Sequence, residues 1–119
     1  MAIHVKEAKK IEACGNKPKI IMEYVGRVNT HTDGVSVAFM NSPRGWAEPG
    51  QTPEFDEYTL VLEGVLHVKT KNGEFDVAAG EAVIAHAGDW VRYSTPQEDC
   101  KYVAVCNPAF SPQTVHRDA

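Results

Sequence analysis

Apolar and polar residues alternate along much of this chain in short runs, and each run ends at a turn signal. The clearest run is Phe55 to Leu62, FDEYTLVL. Successive side chains of a strand point to opposite faces. Phe55, Glu57, Thr59 and Val61 therefore share one face, and Asp56, Tyr58, Leu60 and Leu62 share the other. A loop rich in Pro and Gly (Pro49, Gly50, Pro53) feeds the run, and Glu63-Gly64 stops it. Glu57 is thus a carboxylate in the middle of a strand with apolar residues on both faces, and a charge in such a place needs a reason.

The same reading predicts strands at Ile3 to Val5, Ile20 to Val25, Val35 to Met40, Val65 to Thr70, Phe75 to Val77, Ala82 to Ala85, Trp90 to Ser94 and Tyr102 to Cys106. Lys6 to Ala13 reads as one or two helical turns, ended by Cys14-Gly15-Asn16. Lys71-Asn72-Gly73-Glu74 carries an Asn-Gly hairpin signal. Ser111-Pro112 reads as an N-cap followed by Pro at the first helical position, which predicts a short C-terminal helix over Pro112 to Arg117. Many short strands with turns between them and little helix indicate an all-β sandwich or barrel.

Length and composition narrow the picture. The 119 residues suit a single domain, 1–119, and a hydrophobic content of 43% suits a packed core. The net charge of −4, with no basic cluster, argues against nucleic acid or an anionic membrane as a partner. The N-terminus lacks an apolar signal region, and no apolar run nears transmembrane length. Cys14, Cys100 and Cys106 are odd in number and scattered, which predicts reduced thiols and a cytoplasmic location. Nucleophile-elbow, Walker-type and dinucleotide signatures are missing.

Two glycine frames carry a resemblance. Gly45, five residues, Gln51, Thr52, Pro53, three residues, Glu57, six residues and Gly64 resemble the first cupin motif, G-x5-H-x-H-x3–4-E-x6-G. Gly80, five residues, His86, Ala87, Gly88, two residues, Val91, three residues and Thr95 resemble the second, G-x5-P-x-G-x2-H-x3-N. The segment FDEYTLVLEG is also similar to the ethanolamine-utilisation cupins. The resemblance implies a small jelly-roll β-barrel whose motif positions face the interior, so that Phe55, Thr59, Val61, Val91 and Tyr93 face it too. The metal ligands of the family fall on Gln51, Pro53, Glu57 and Val91, and only the Glu is retained. Pro and Val have no donor atom and Gln is a weak ligand, so the expectation is no metal and no other cofactor. Any metal would be a divalent transition ion at a non-standard site. The apolar outer face of Tyr58, Leu60 and Leu62 is expected to pack on another chain, as a homodimer, or on the N-terminal segment.

The candidate chemistry follows from these placements. Glu57 is either an acid/base and ligand anchor, its pKa raised by burial, or an inert relic of a metal site. Gln51 either orients a ligand near the barrel mouth or satisfies loop backbone. Tyr93 points inward as a hydroxyl donor or as packing. Glu54 has the other parity unless Pro53 introduces a bulge. His86 replaces the motif proline and is either a titrating group or a solvated turn residue. Trp46 and Trp90 flank the mouth, and His67 faces away from the interior. Nothing in the spacing joins His31, Asp33 and His86 into a metal cluster. The functional expectation is a cupin that binds a small polar metabolite, bearing carboxylate or phosphate, through Gln51, Glu54, Glu57, Tyr93 and His86. Glu57 would be the acid/base if the protein is an enzyme. A metal-dependent enzyme with a displaced site, and an accessory module acting through its outer apolar face, are the alternatives.

Overall fold

The computed structural model describes all 119 residues. It has ten strands: β1 (Lys9–Ile11), β2 (Ile20–Val25), β3 (Ser36–Ser42), β4 (Trp46–Ala47), β5 (Asp56–Glu63), β6 (Val65–Thr70), β7 (Gly73–Ala78), β8 (Ala82–Ala85), β9 (Val91–Thr95) and β10 (Cys100–Asn107). They form a six-stranded sheet in the order β1-β2-β3-β10-β5-β8 and a four-stranded sheet in the order β4-β9-β6-β7. Every pairing is antiparallel. The all-β jelly-roll expectation holds.

The period-2 pattern places the side chains. On β5, Glu57, Thr59 and Val61 are buried while Tyr58, Leu60 and Leu62 are exposed. Leu66 and Val68 of β6 and Val91 and Tyr93 of β9 come from the facing sheet. With Trp46, Val77, Val83, Cys100 and Tyr102 they form one core cluster between the sheets. Burying each such side chain contributes about 1.5–3 kcal/mol, and both sheets supply it, so neither is stable without the other.

Five expectations change. Pro112 to Arg117 is not a helix; it forms turns and an isolated bridge, Gln51 to Arg117. The amides of Thr52 and Glu54 donate to the carbonyls of His116 and Thr114, and Asp118 N–H donates to Gly50. Pairing with the loop outcompetes a helix of six residues, which is too short to hold itself. The expected helical turns at Lys6 to Ala13 are replaced by β1, which pairs with the edge of β2 at Lys10 opposite Met22. Ile3 to Val5 form no strand. The β6–β7 hairpin bends at Lys71-Asn72, since Thr70 pairs with Gly73, and Gly73 itself takes a φ of 131°. The N-terminal segment pairs at the far edge of its sheet and leaves the outer face of β5 open, with Leu60 46% and Leu62 46% exposed. No helix is long and apolar enough to cross a membrane.

Candidate acid–base cavity in the barrel

A cavity of about 70 Å³ lies between the sheets at the end away from β7 and β8. A water molecule needs roughly 10–15 Å³ by such a measure, so the space takes several waters or one sugar-sized group. Tyr93 and Tyr102 belong both to its wall and to the packed core, and they floor it. Ile11 and Cys14 reach it from the N-terminal strap.

Glu57 enters from the middle of β5, as its parity requires, and is 8% exposed. Its Oε2 accepts from Cys106 Sγ at 3.6 Å. Its Oε1 has no partner. Burial pushes its pKa above the usual carboxylate range, while Tyr93, Cys106 and Lys19 pull it down. Glu48, from the loop after β4, is also buried, and burial pushes it up to about 7 against the pull of Lys19. Lys19, just before β2, brings a buried amine to the same cavity. Its Nζ donates to Tyr102 Oη at 3.0 Å and lies 4.0 Å from the centre of the Trp46 ring. Burial lowers its pKa, and Glu48 and Glu57 oppose that.

Tyr93 Oη stands beside the Glu57 carboxyl, near enough to alter its protonation, in a geometry that falls short of a full hydrogen bond. Burial and the neighbouring Glu57 hold that phenol well above its ordinary pKa. Arg117 comes from the C-terminal tail. Its Nε is buried without a partner, and its guanidinium carbon lies 6.0 Å from the centre of the Phe110 ring. Gln51 is buried, lines the cavity and is fixed by a pair of backbone hydrogen bonds with Val91, both 2.9 Å.

Of the residues singled out from the sequence, the structure therefore gathers Glu57, Gln51 and Tyr93. Glu54 and His86 are corrected: both lie outside. Glu54 keeps the outward parity, with no bulge to turn it, and pairs with His116. His86 has its side chain 70% exposed and stands 3.7 Å from Asp56. Trp46 is fully buried as a partition beside Lys19, while Trp90 donates to Asp118 and covers Gly50. Asp33 pairs with Arg27, and no group of three His, Cys, Asp or Glu is placed to hold a metal. Sequence reasoning missed Lys19, Glu48, Arg117 and Tyr102. Glu48 lies inside the first glycine frame, but so do Glu54, Asp56 and Glu63, and Lys19 and Arg117 had no signal at all.

Chemically, the cavity combines two carboxyls of raised pKa, an amine of lowered pKa and a guanidinium. Such groups hold or release protons near neutral pH. Three buried polar atoms, Glu57 Oε1, Tyr93 Oη and Arg117 Nε, lack partners and all belong to cavity residues. Buried polar atoms are normally satisfied, so their concentration at one place marks where a polar group fits.

No family model matches the sequence. The chain is 43% identical over 101 residues to a Myxococcus xanthus protein named endoribonuclease YbeY; the match covers 84% of this chain and 34% of the relative. The chain thus spans about a third of the length of that relative. Among solved structures it resembles the polyketide cyclase RemF from Streptomyces resistomycificus, with TM-score 0.76 and 18% identity, covering 100% of this chain and 85% of the other. It resembles a variant of Bacillus subtilis oxalate decarboxylase, with TM-score 0.77 and 15% identity over 97% of this chain and 31% of the other. The EutQ protein of Clostridium difficile matches with TM-score 0.63 and 16% identity over 76% of this chain and 64% of its own. At such identities these structures show the fold alone, and it is cupin-like. The YbeY relative overturns the functional expectation of a cupin for a small polar metabolite, and with it the expectation of a small ligand and no nucleic-acid partner. Net charge averages over a surface and so does not by itself exclude a local nucleic-acid site.

Proposed function

We propose that the chain is a cupin-fold unit that works in RNA processing, with the barrel cavity as a metal-independent acid–base centre acting on one ribose of single-stranded RNA. The observation that carries this reading is the 43% identity to a protein named an endoribonuclease across 84% of this chain. The match covers 34% of that relative, so the barrel corresponds to one part of a longer protein. The free thiols of Cys14, Cys100 and Cys106 support work in the cytoplasm.

The cavity groups suit the chemistry of RNA cleavage. One carboxylate, Glu57 or Glu48, takes the proton of the ribose 2′-hydroxyl. The 2′-oxygen attacks the adjacent phosphorus, and the bond to the 5′-oxygen breaks. That oxygen leaves with a proton supplied by the other carboxyl, giving a 2′,3′-cyclic phosphate and a 5′-hydroxyl. Two carboxyls with pKa values lifted toward neutrality suit this division of labour. Arg117, whose Nε has no protein partner, faces the developing charge on phosphate.

The test incubates the full chain with 5′-labelled single-stranded RNA in the presence of a chelator. Cleavage with cyclic-phosphate ends is expected. Glu57→Gln and Glu48→Gln should each slow it by about 100-fold or more, and a 2′-deoxy substitution at the cut site should abolish it. Cleavage that both variants leave unchanged, or no cleavage at all, would refute the acid–base role.

A further inference from the structure

A second cleft, of about 300 Å³, lies on the outer face of the four-stranded sheet, and its lining includes His67, Lys69, Glu74, Arg92 and Ser94. In the register of β6 against β9, Lys69 stands directly opposite Arg92, and His67 opposite Ser94. Like charges directly opposite on adjacent strands destabilise a sheet. Neither Lys69 nor Arg92 makes an ion pair. Arg92 donates from Nε to the carbonyl of Glu48 at 2.9 Å, which aims its fork and leaves charge uncompensated. On its other side Lys69 faces Glu74 across β7. That carboxylate is taken by His67, whose Nε2 and Nδ1 each lie 2.7 Å from Glu74 and Asp76. Gln97 holds the second oxygen of Asp76 at 3.0 Å. A third cation, Lys17, reaches the rim, where its Nζ lies against Gly45 and donates to Arg44 O at 3.0 Å.

His67 thus engages both local carboxylates, Glu74 and Asp76, without cancelling both charges, and leaves Lys69 and Arg92 without an ion pair beside the groove. We propose that this cleft binds the phosphodiester backbone of single-stranded RNA, with Lys69 and Arg92 as its phosphate contacts. The proposal rests on the RNA reading above and deepens it. A planar guanidinium beside an ammonium matches the oxygens of neighbouring phosphates. Elsewhere the chain, with net charge −4, repels a polyanion, so attachment has to be local. Trp46 lines the cleft, and its ring also carries Lys19 of the cavity; Arg92 bonds to the backbone of Glu48, a cavity residue. One indole and one stretch of backbone therefore separate the cleft from the acid–base centre.

The experiment measures anisotropy of a labelled 12-nucleotide single-stranded RNA across a salt series, for the wild-type chain and the Lys69→Ala/Arg92→Ala variant, with unfolding curves to show that both are folded. Loss of the two contacts should weaken binding about 10-fold or more at low salt. It should also reduce the slope of log affinity against log salt by about 1.4, two phosphates at about 0.7 each. Arg92→Lys, which keeps the charge and loses the fork, should fall between. Wild-type binding with affinity and slope unchanged in the double variant overturns the cleft and leaves the RNA reading standing. No binding by the wild type overturns the RNA reading. A pyrophosphate titration followed by amide shifts then decides the cleft: movement at Lys69, Arg92 and Ser94 keeps it as an anion site, and no movement removes it.

Discussion

Two tyrosines floor the cavity, and their hydroxyls have opposite circumstances. Tyr102 Oη is 2.9 Å from Ser42 Oγ and receives Lys19 Nζ at 3.0 Å. Tyr93 Oη is buried with only the Glu57 carboxyl beside it, in a geometry short of a full hydrogen bond. Removing a hydroxyl that partners others leaves those groups unsatisfied, at a cost of about 1–3 kcal/mol. Removing one with no partner costs nothing of the kind. Tyr102→Phe should therefore lower the thermal midpoint by several degrees, while Tyr93→Phe should leave it unchanged or raise it. Thermal unfolding of the two variants checks this. If Tyr93→Phe also weakens RNA cleavage while keeping stability, its hydroxyl serves a bound group rather than the fold. Equal destabilisation by both variants would mean that Tyr93 is held by a contact of its own.

At the scale of elements, the tightest joint is the turn from β5 to β6. Gly64 has φ 82°, and a Cβ there would come 2.2 Å from the carbonyl oxygen of Asp99. The backbone conformation alone costs a non-glycine residue roughly 1–2 kcal/mol, and the clash meets backbone that cannot swing aside. Gly64→Ala should lower stability by about 2 kcal/mol or more, or roughly 8 °C in the thermal midpoint. A midpoint within 2 °C of wild type would show that the turn and the start of β10 can both move. This joint was legible in the sequence as the glycine closing the first frame. So were β2, β5, β6 and β8, because a half-buried strand writes its own alternation; parity puts Glu57 and Thr59 on one face of β5, and the cupin-like frame turns that face to the interior. The chain ends were not legible. Lys6 to Ala13 and Pro112 to Arg117 have local helical signals, yet their state is set by distant partners, Met22 for Lys10 and Gln51 for Arg117. The site divides the same way. Glu57 and Tyr93 follow from strand parity read within the cupin-like frame and Gln51 from its place in that frame, whereas Lys19, Glu48 and Arg117 converge from a strand end, a loop and the tail, and only closure of the barrel brings them together.

For the whole molecule, the buried charges add up to an unusual dependence of stability on pH. Glu48 has its pKa raised from 4.5 to about 7, and Glu57 is raised as well. Between the unfolded and folded values the folded state holds more protons than the unfolded one, so stability falls as pH rises through that window. For Glu48 alone the span corresponds to roughly 3 kcal/mol. His67 works in the same direction: its pKa is raised, first by its hydrogen bond to Asp76, so its contribution is complete below 6.5 and is lost as pH climbs past the folded value. Lys19 works in the opposite direction at higher pH. Its folded pKa is lowered by burial, so stability returns as pH rises from that value toward 10.5. Asp76, whose pKa is lowered by His67, withdraws support only as pH falls below 3.8. Net self-repulsion is also least near the pI of about 5.7. Above about pH 9 the return from Lys19 is opposed by Cys100, raised from 9.0 to about 11, and by Cys106, Tyr93 and Tyr102, all held up by burial. Stability should therefore peak near pH 5 and fall through neutral pH, with no full recovery on the alkaline side. Most domains instead peak between about pH 5 and 8. Urea unfolding at pH 5, 7.5 and 9.5 reads the curve directly, and Glu48→Gln separates the cavity from the surface. The variant should lose the part of the drop between pH 5 and 7.5 that belongs to Glu48 and keep the parts that belong to Glu57 and His67. A wild-type chain more stable at pH 7.5 than at pH 5 would mean that Glu48 and Glu57 are ionised at little cost, with Lys19 and Arg117 compensating them fully. The cavity would then be a settled ion cluster rather than a set of groups poised to exchange protons.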